Sequence, residues 1–114
     1  MGVPAAGTVV VIPFPFSDLS RSKLRPAVVL AAADRDDLIL CQVTSNPYSD
    51  DSAIALTASD FRSGSLQRTS YARPGKLFTA NAALILSEVG FLHDAARDRI
   101  IDAVVAILHG HAHS

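Results

Sequence analysis

Residues Gly7–Ala31 read GTVVVIPFPFSDLSRSKLRPAVVLA, and this stretch organises the rest of the chain. Thr8 to Ile12 is an apolar run rich in β-branched residues. A polar, basic insert follows from Ser17 to Leu24, and Arg25-Pro26 opens a second apolar run from Ala27 to Ala31. Two such runs around a turn-rich insert predict strand, long loop, strand. Pro26 fixes its own φ and forces its predecessor into an extended conformation. Arg25 is therefore expected at a stiff loop–strand junction with a defined aim, with Arg21 and Lys23 just before it.

Working outward, Asp34 to Asp37 forms a polar turn, and Leu38 to Val43 (LILCQV) is a third apolar run that stops at Thr44-Ser45-Asn46-Pro47. If the second and third strands pair as a hairpin, antiparallel register sets the start of one beside the end of the other. Arg25 then lies near Thr44. Downstream, Ser52 to Leu56 is a short strand candidate and Thr57 to Asp60 caps a single turn before Phe61. Gly64 breaks the chain, Ser70 to Arg73 is extended, Pro74-Gly75 marks a turn, and Lys76 to Thr79 is another strand candidate. Ala80 to Ala83 makes a helical turn. Leu84 to Leu92 is apolar, with a bulge or bend expected at Gly90. In the last segment Ile100, Ile101, Val104, Val105 and Leu108 fall on one helical stripe, with Asp94 as N-cap and Gly110 as C-cap. Many short strands followed by one amphipathic helix predict an α+β, mainly β domain: a small, strongly curved barrel with a helix packed on it.

The chain has 114 residues, 49% of them hydrophobic, and a formal net charge of -1. That predicts one domain, residues 1–114, built on a single core. Overall charge says nothing about nucleic acid, but its distribution does. From Phe61 to Lys76 the charged residues are Arg62, Arg68, Arg73 and Lys76, with no acid among them. Such a patch suits phosphate or an acidic partner, or is simply a solvated face. Cys41, the single cysteine, excludes an internal disulfide and reads as a small buried side chain. No signal peptide or membrane-length apolar run is visible, which predicts a cytoplasmic protein.

Motifs for metal and phosphate-loop chemistry are missing: there is no CxxC, HExxH or P-loop, and no cofactor is expected. His109, His111 and His113 have H-x-H-x-H spacing, but at a chain end a frayed tail explains them as well. Glu88, the only glutamate, reads as an interface or core carboxylate. What remains is a set of donors at strand ends: Arg25, Gln42, Thr44 and Ser45, with Arg21, Lys23 and Arg73 near them. An arginine fork and a hydroxyl converging on one spot make a phosphate site. The plainer alternative pairs Arg25 with Asp18 and leaves Thr44 as a strand end.

These residues carry a family resemblance. GTVVVIPFPF, then KLRPAVVL, then LCQVTS, then SYARPGKLFT resemble, in the right order, the MazF/PemK (Kid) toxins of bacterial toxin–antitoxin pairs. The likeness runs from Gly7 to about Gly90. It implies an SH3-like barrel of the CcdB/MazF type with a C-terminal helix, and a homodimer. It implies a metal-independent endoribonuclease that cuts single-stranded RNA, mainly mRNA, under the control of an acidic, partly disordered antitoxin. Arg25 matches the family's catalytic arginine and Thr44 its catalytic threonine. The RNA-contact set it implies is Arg21, Lys23, Gln42, Ser45, Arg73 and Lys76, the last two in a segment with partly structural duties. The loop before Arg25 has no glycine, where many members are glycine-rich, and the chain has no tryptophan. That loop sets specificity in the family, so the target sequence stays open. A rival from another class shares the expected fold: a CcdB-like toxin that binds gyrase and cuts nothing.

Overall fold

A computed structural model describes residues 3–14, 23–47 and 49–110. Its strands are β1 (Thr8–Phe14), β2 (Lys23–Asp34), β3 (Asp37–Thr44), β4 (Ile54–Leu56), β5 (Phe61–Gly64), β6 (Ser70–Asn81) and β7 (Ser87–Leu92), followed by helix α1 (Asp94–Leu108). Single 3₁₀ turns at Ala58–Asp60 and Ala82–Leu84 link neighbouring strands. All seven strands join one sheet in the order β4-β6-β3-β2-β1-β7-β5. Every pairing is antiparallel, and the short β4 and β5 are left as the edges, so the sheet curls without closing. This half-barrel with its helix is the mainly-β architecture that the strand pattern predicts.

The curl has local causes. Register shifts interrupt the ladders between Val9 and Val10, Val29 and Ala31, Cys41 and Val43, and Phe61 and Ser63. Each extra residue bends its strand and raises the twist. The largest irregularity lies in β6. Cys41 pairs with Leu77 and Val43 with Ala72, so Arg73 to Lys76 bulge opposite Gln42. The Pro74-Gly75 pair, expected to turn the chain, instead sits inside this bulge of one 12-residue strand. Proline lacks an N–H for the ladder, and the bulge is where a strand tolerates it. The freed Arg73 carbonyl accepts the Cys41 thiol at 3.2 Å.

Alternation along the strands divides the apolar residues between the two faces. Val9, Val28, Cys41, Val43, Leu92 and Ile100 belong to the core under α1. Val10, Ile12, Ala27, Val29, Leu38 and Leu40 form the other cluster, inside the curl, against Phe78 and Ile85. On α1 the buried residues are Ala96 and Ile100, and Ile107 meets Gly75 further along. Val105 is 44% exposed and Leu108 76%. The helix is thus rolled slightly from the orientation that the Ile100-to-Leu108 stripe predicts. His93, not Asp94, is its N-cap, and Asp94 opens the first turn. Gly110, at φ 79, follows the C-cap His109 in the left-handed conformation that ends many helices.

Candidate functional site

Arg25 does not sit at the loop–strand junction. It lies inside β2, which begins at Lys23, and its cross-strand partner on β1 is Ile12. On the other side, Ala27 faces Gln42 of β3. Continuing that antiparallel register by two residues sets Arg25 opposite Thr44. Because side chains alternate, Val29, Ala27 and Arg25 share a face with Leu40, Gln42 and Thr44. The apolar cluster therefore gives way to polar residues where β2 begins and β3 ends. Thr44 is only 4% exposed. Its hydroxyl donates to the Asn46 carbonyl at 3.1 Å and accepts from the Asn46 N–H at 3.2 Å, which shapes the turn after β3.

Both residues open into one cleft of about 440 Å³. Its polar lining is Arg25, Thr44, Ser45, Ser65, Gln67 and Arg68, with Ser70 below them. Leu24, Pro26, Val43, Leu66 and Val89 supply apolar walls. Among the described residues no carboxylate lines it. Elsewhere arginines pair with acids: Arg62 and Arg97 with Asp94, Arg73 with Asp50, Arg99 with Asp60. Among the described residues the two cleft arginines, Arg25 and Arg68, have no such partner. Two unneutralised guanidinium groups amid hydroxyls and an amide give a positive potential and convergent donors, the chemistry of an oxyanion or phosphate site.

The remaining candidates scatter. Lys23 is exposed at the start of β2, Gln42 is 9% exposed in mid-β3, and Lys76 is exposed on the β6 bulge. None of these lines the cleft. Arg73 Nε donates to Asp50 Oδ2 at 2.9 Å, tying β6 to the β3–β4 connection. Arg21 and the insert around it, His111 and His113 lie outside the described residues. Glu88 is exposed on β7, beside a second cleft that also holds Asp36, Val3 and Leu86. Sequence reasoning missed Ser65, Gln67 and Arg68. The acid-free run from Phe61 to Lys76 was their only signal, and β5, four residues long and interrupted by a register shift, did not read as a strand.

Among the described residues the Cys41 thiol and the Asp60 carboxyl have shifted pKa values, and neither lies in the cleft. Burial pushes the Cys41 thiol from 9.0 up to about 12, so it is a protonated core side chain. Burial also raises the Asp60 carboxyl, but the Thr57 N–H at 2.8 Å and Arg99 at 3.0 Å outweigh it and hold the group below its ordinary 3.8. No three His, Cys, Asp or Glu side chains among the described residues gather as metal ligands. No helix is long and apolar enough to cross a membrane.

The fold has close counterparts among solved structures. An endoribonuclease in complex with its cognate antitoxin from a mycobacterial species aligns at TM-score 0.73 and 15% identity, over 94% of this chain and 96% of that one. MazF from Deinococcus radiodurans aligns at 0.75 and 18%, over 96% and 99%. The fold is that of MazF. The Deinococcus MazE–MazF complex agrees, at 0.75 and 18% over 95% and 98% of the two chains. No protein-family model matches the sequence, and a search of curated proteins finds no match. At these identities the likeness to MazF is one of fold. It spans both chains nearly end to end, so the seven-stranded sheet that carries Arg25 and Thr44 is not an addition to the shared fold.

Proposed function

We propose that the protein is a sequence-specific endoribonuclease toxin that cleaves single-stranded RNA and is restrained by an acidic antitoxin. The observation that carries the reading is one cleft lined by Arg25, Thr44, Ser45 and Arg68 and, among the described residues, by no carboxylate. The MazF fold supports it, because solved proteins of this fold include endoribonucleases bound to antitoxins. In the proposed reaction the ribose 2′-oxygen forms a bond to the adjacent phosphorus and loses its proton to a base. The P–O5′ bond breaks and the leaving oxygen gains a proton. The products are a 2′,3′-cyclic phosphate and a 5′-hydroxyl. Negative charge builds on the non-bridging oxygens, so preorganised donors carry most of the rate. Arg25 supplies a planar fork. Thr44 supplies a hydroxyl once it turns from the Asn46 carbonyl toward the phosphate. Lys23, Gln42, Ser45, Arg73, Lys76 and Arg21 are proposed to contact RNA beyond the reacting centre. The antitoxin would compete for the same cationic surface with an acidic segment that orders on binding. A homodimer is proposed as the working unit.

The test is single-turnover cleavage of an end-labelled RNA in EDTA, with both new ends identified. Wild type should leave a cyclic phosphate and a 5′-hydroxyl, and a 2′-deoxy substitution at the cut site should block the reaction. Arg25→Ala, checked for folding by circular dichroism, should lose about 10²- to 10³-fold in rate, the usual cost of one oxyanion donor. Near-normal cleavage by folded Arg25→Ala would remove the site. A CcdB-like gyrase binder is not favoured: the aligned structures include MazF toxins alone and with MazE.

A further inference from the structure

We propose that Arg68 binds a second RNA phosphate, next to the one held by Arg25, and that the β5–β6 connection is built to present it. This rests on the ribonuclease reading above. Among the described residues Arg68 is the only other arginine lining the cleft, in the run Ser65 to Arg68. An exposed arginine on a loose loop would spend its binding energy on ordering. This segment is instead pinned in several places. Its N-terminal end leaves β5 at Gly64, which has φ 68 and pairs with Gly90 of β7. A Cβ on Gly64 would collide with the Val89 carbonyl oxygen, and one on Gly90 would come within 2.7 Å of the Phe61 ring. Two glycines therefore let β5 and β7 approach more closely than side chains allow.

The next residues are held as firmly. The Ser65 N–H donates to the Val89 carbonyl at 3.2 Å. Leu66 packs against the core under α1. Ser70 Oγ donates to the Arg68 carbonyl at 3.1 Å, so the backbone of Arg68 is fixed from the β6 side. With its main chain anchored and no carboxylate to neutralise it among the described residues, Arg68 lines the same cleft of about 440 Å³ as Arg25. That volume is within the ~300–1,000 Å³ range of small-ligand sites, room for one or two nucleotides of a single strand and not for a duplex. Successive phosphates of one strand suit two arginines that line one cleft. Arg25 acts where charge develops. Arg68 acts on a phosphate whose charge does not change, so it contributes to binding.

The experiment compares wild type with Arg68→Gln and Arg68→Lys. The probe is a single-stranded RNA made uncleavable by a 2′-deoxy group at the position that wild type cuts. Fluorescence anisotropy is read over a salt series, and single-turnover cleavage of the all-ribose strand is read over RNA concentration. Arg68→Gln should weaken binding about tenfold at low salt and lower the slope of log affinity against log salt by about 0.7, one phosphate of a single strand. Its cleavage defect should appear mainly as a higher half-saturating RNA concentration. Arg68→Lys should restore the salt slope, because the charge is kept, and only part of the affinity. Unchanged affinity and slope in Arg68→Gln, with wild type active, would overturn the assignment of Arg68 and leave the ribonuclease intact. A loss confined to the saturated rate would also overturn it, by making Arg68 a participant in the chemistry. A wild type that neither binds nor cuts single-stranded RNA would overturn both readings together.

Discussion

Thr44 is asked to serve two roles with one hydroxyl. Its proton goes to the Asn46 carbonyl and a lone pair takes the Asn46 N–H. A hydroxyl has one donor, so donating to a phosphate means giving up the Asn46 carbonyl. Thr44→Val keeps the shape but removes both interactions. It should therefore lower stability by about 0.5–2 kcal/mol as well as slow cleavage at least tenfold. Thr44→Ser should recover most of both. Thermal melts and single-turnover rates check the pair. If Thr44→Val loses stability yet cuts at a near-normal rate, Thr44 is a turn former and leaves the site. At this scale the sequence was legible where backbone logic applied. Pro26 makes Arg25 extended, and hairpin register sets it opposite Thr44. Arg68 was not legible as a cleft residue, because its place depends on a glycine contact between two strands far apart in sequence.

The elements show the same division between local and distant causes. Strands β1, β2, β3 and β7 announce themselves by apolar runs, and β6 was split in two by reading Pro74-Gly75 as a turn. Nothing local reveals that Gln42 on the neighbouring strand makes room for a bulge there. Helix α1 was found by its 3.6-residue period, yet the face it buries was set by what it meets. Arg99 ties its first half to Asp60, and Ile107 lies against Gly75 near its end. These contacts rotate Ile100 fully inward and leave Leu108 out, at 0% and 76% exposure. The sequence stripe treats the two alike, and the structure predicts that they differ. Ile100→Ala should cost about 2–5 kcal/mol, as other large-to-small core changes do. Leu108→Ala should stay within about 0.5 kcal/mol, the range of surface substitutions. Urea titrations of both variants decide the matter. Similar losses would mean that the helix end is covered in solution.

For the whole molecule, the open question is what covers its exposed apolar side chains. Leu24, Leu84, Leu86 and Leu108 are 58%, 52%, 61% and 76% exposed, and Val3 and Val105 add to them. The Cα radius of gyration, 13.3 Å, is close to the ~13 Å expected of a compact chain of this length, so the exposure does not come from an expanded fold. Exposed apolar side chains of this size lose their contact with water when two copies pair, which is the ground for the proposed dimer. A self-associating surface of this composition is held by burial of apolar area and not by charge, and the net charge of -1 gives no long-range repulsion to oppose it. Light scattering at micromolar concentration should therefore give about twice 12.0 kDa. The mass should persist in 1 M salt, where the Debye length falls to about 3 Å and contacts between exposed charges are screened. RNA binding by the same protein should weaken steeply over that salt range, because it depends on released counterions. The two responses separate the two kinds of contact in one titration. A clean monomer at low salt would refute the dimer, and a dimer that dissociates together with the RNA would show that charge, and not apolar burial, holds it.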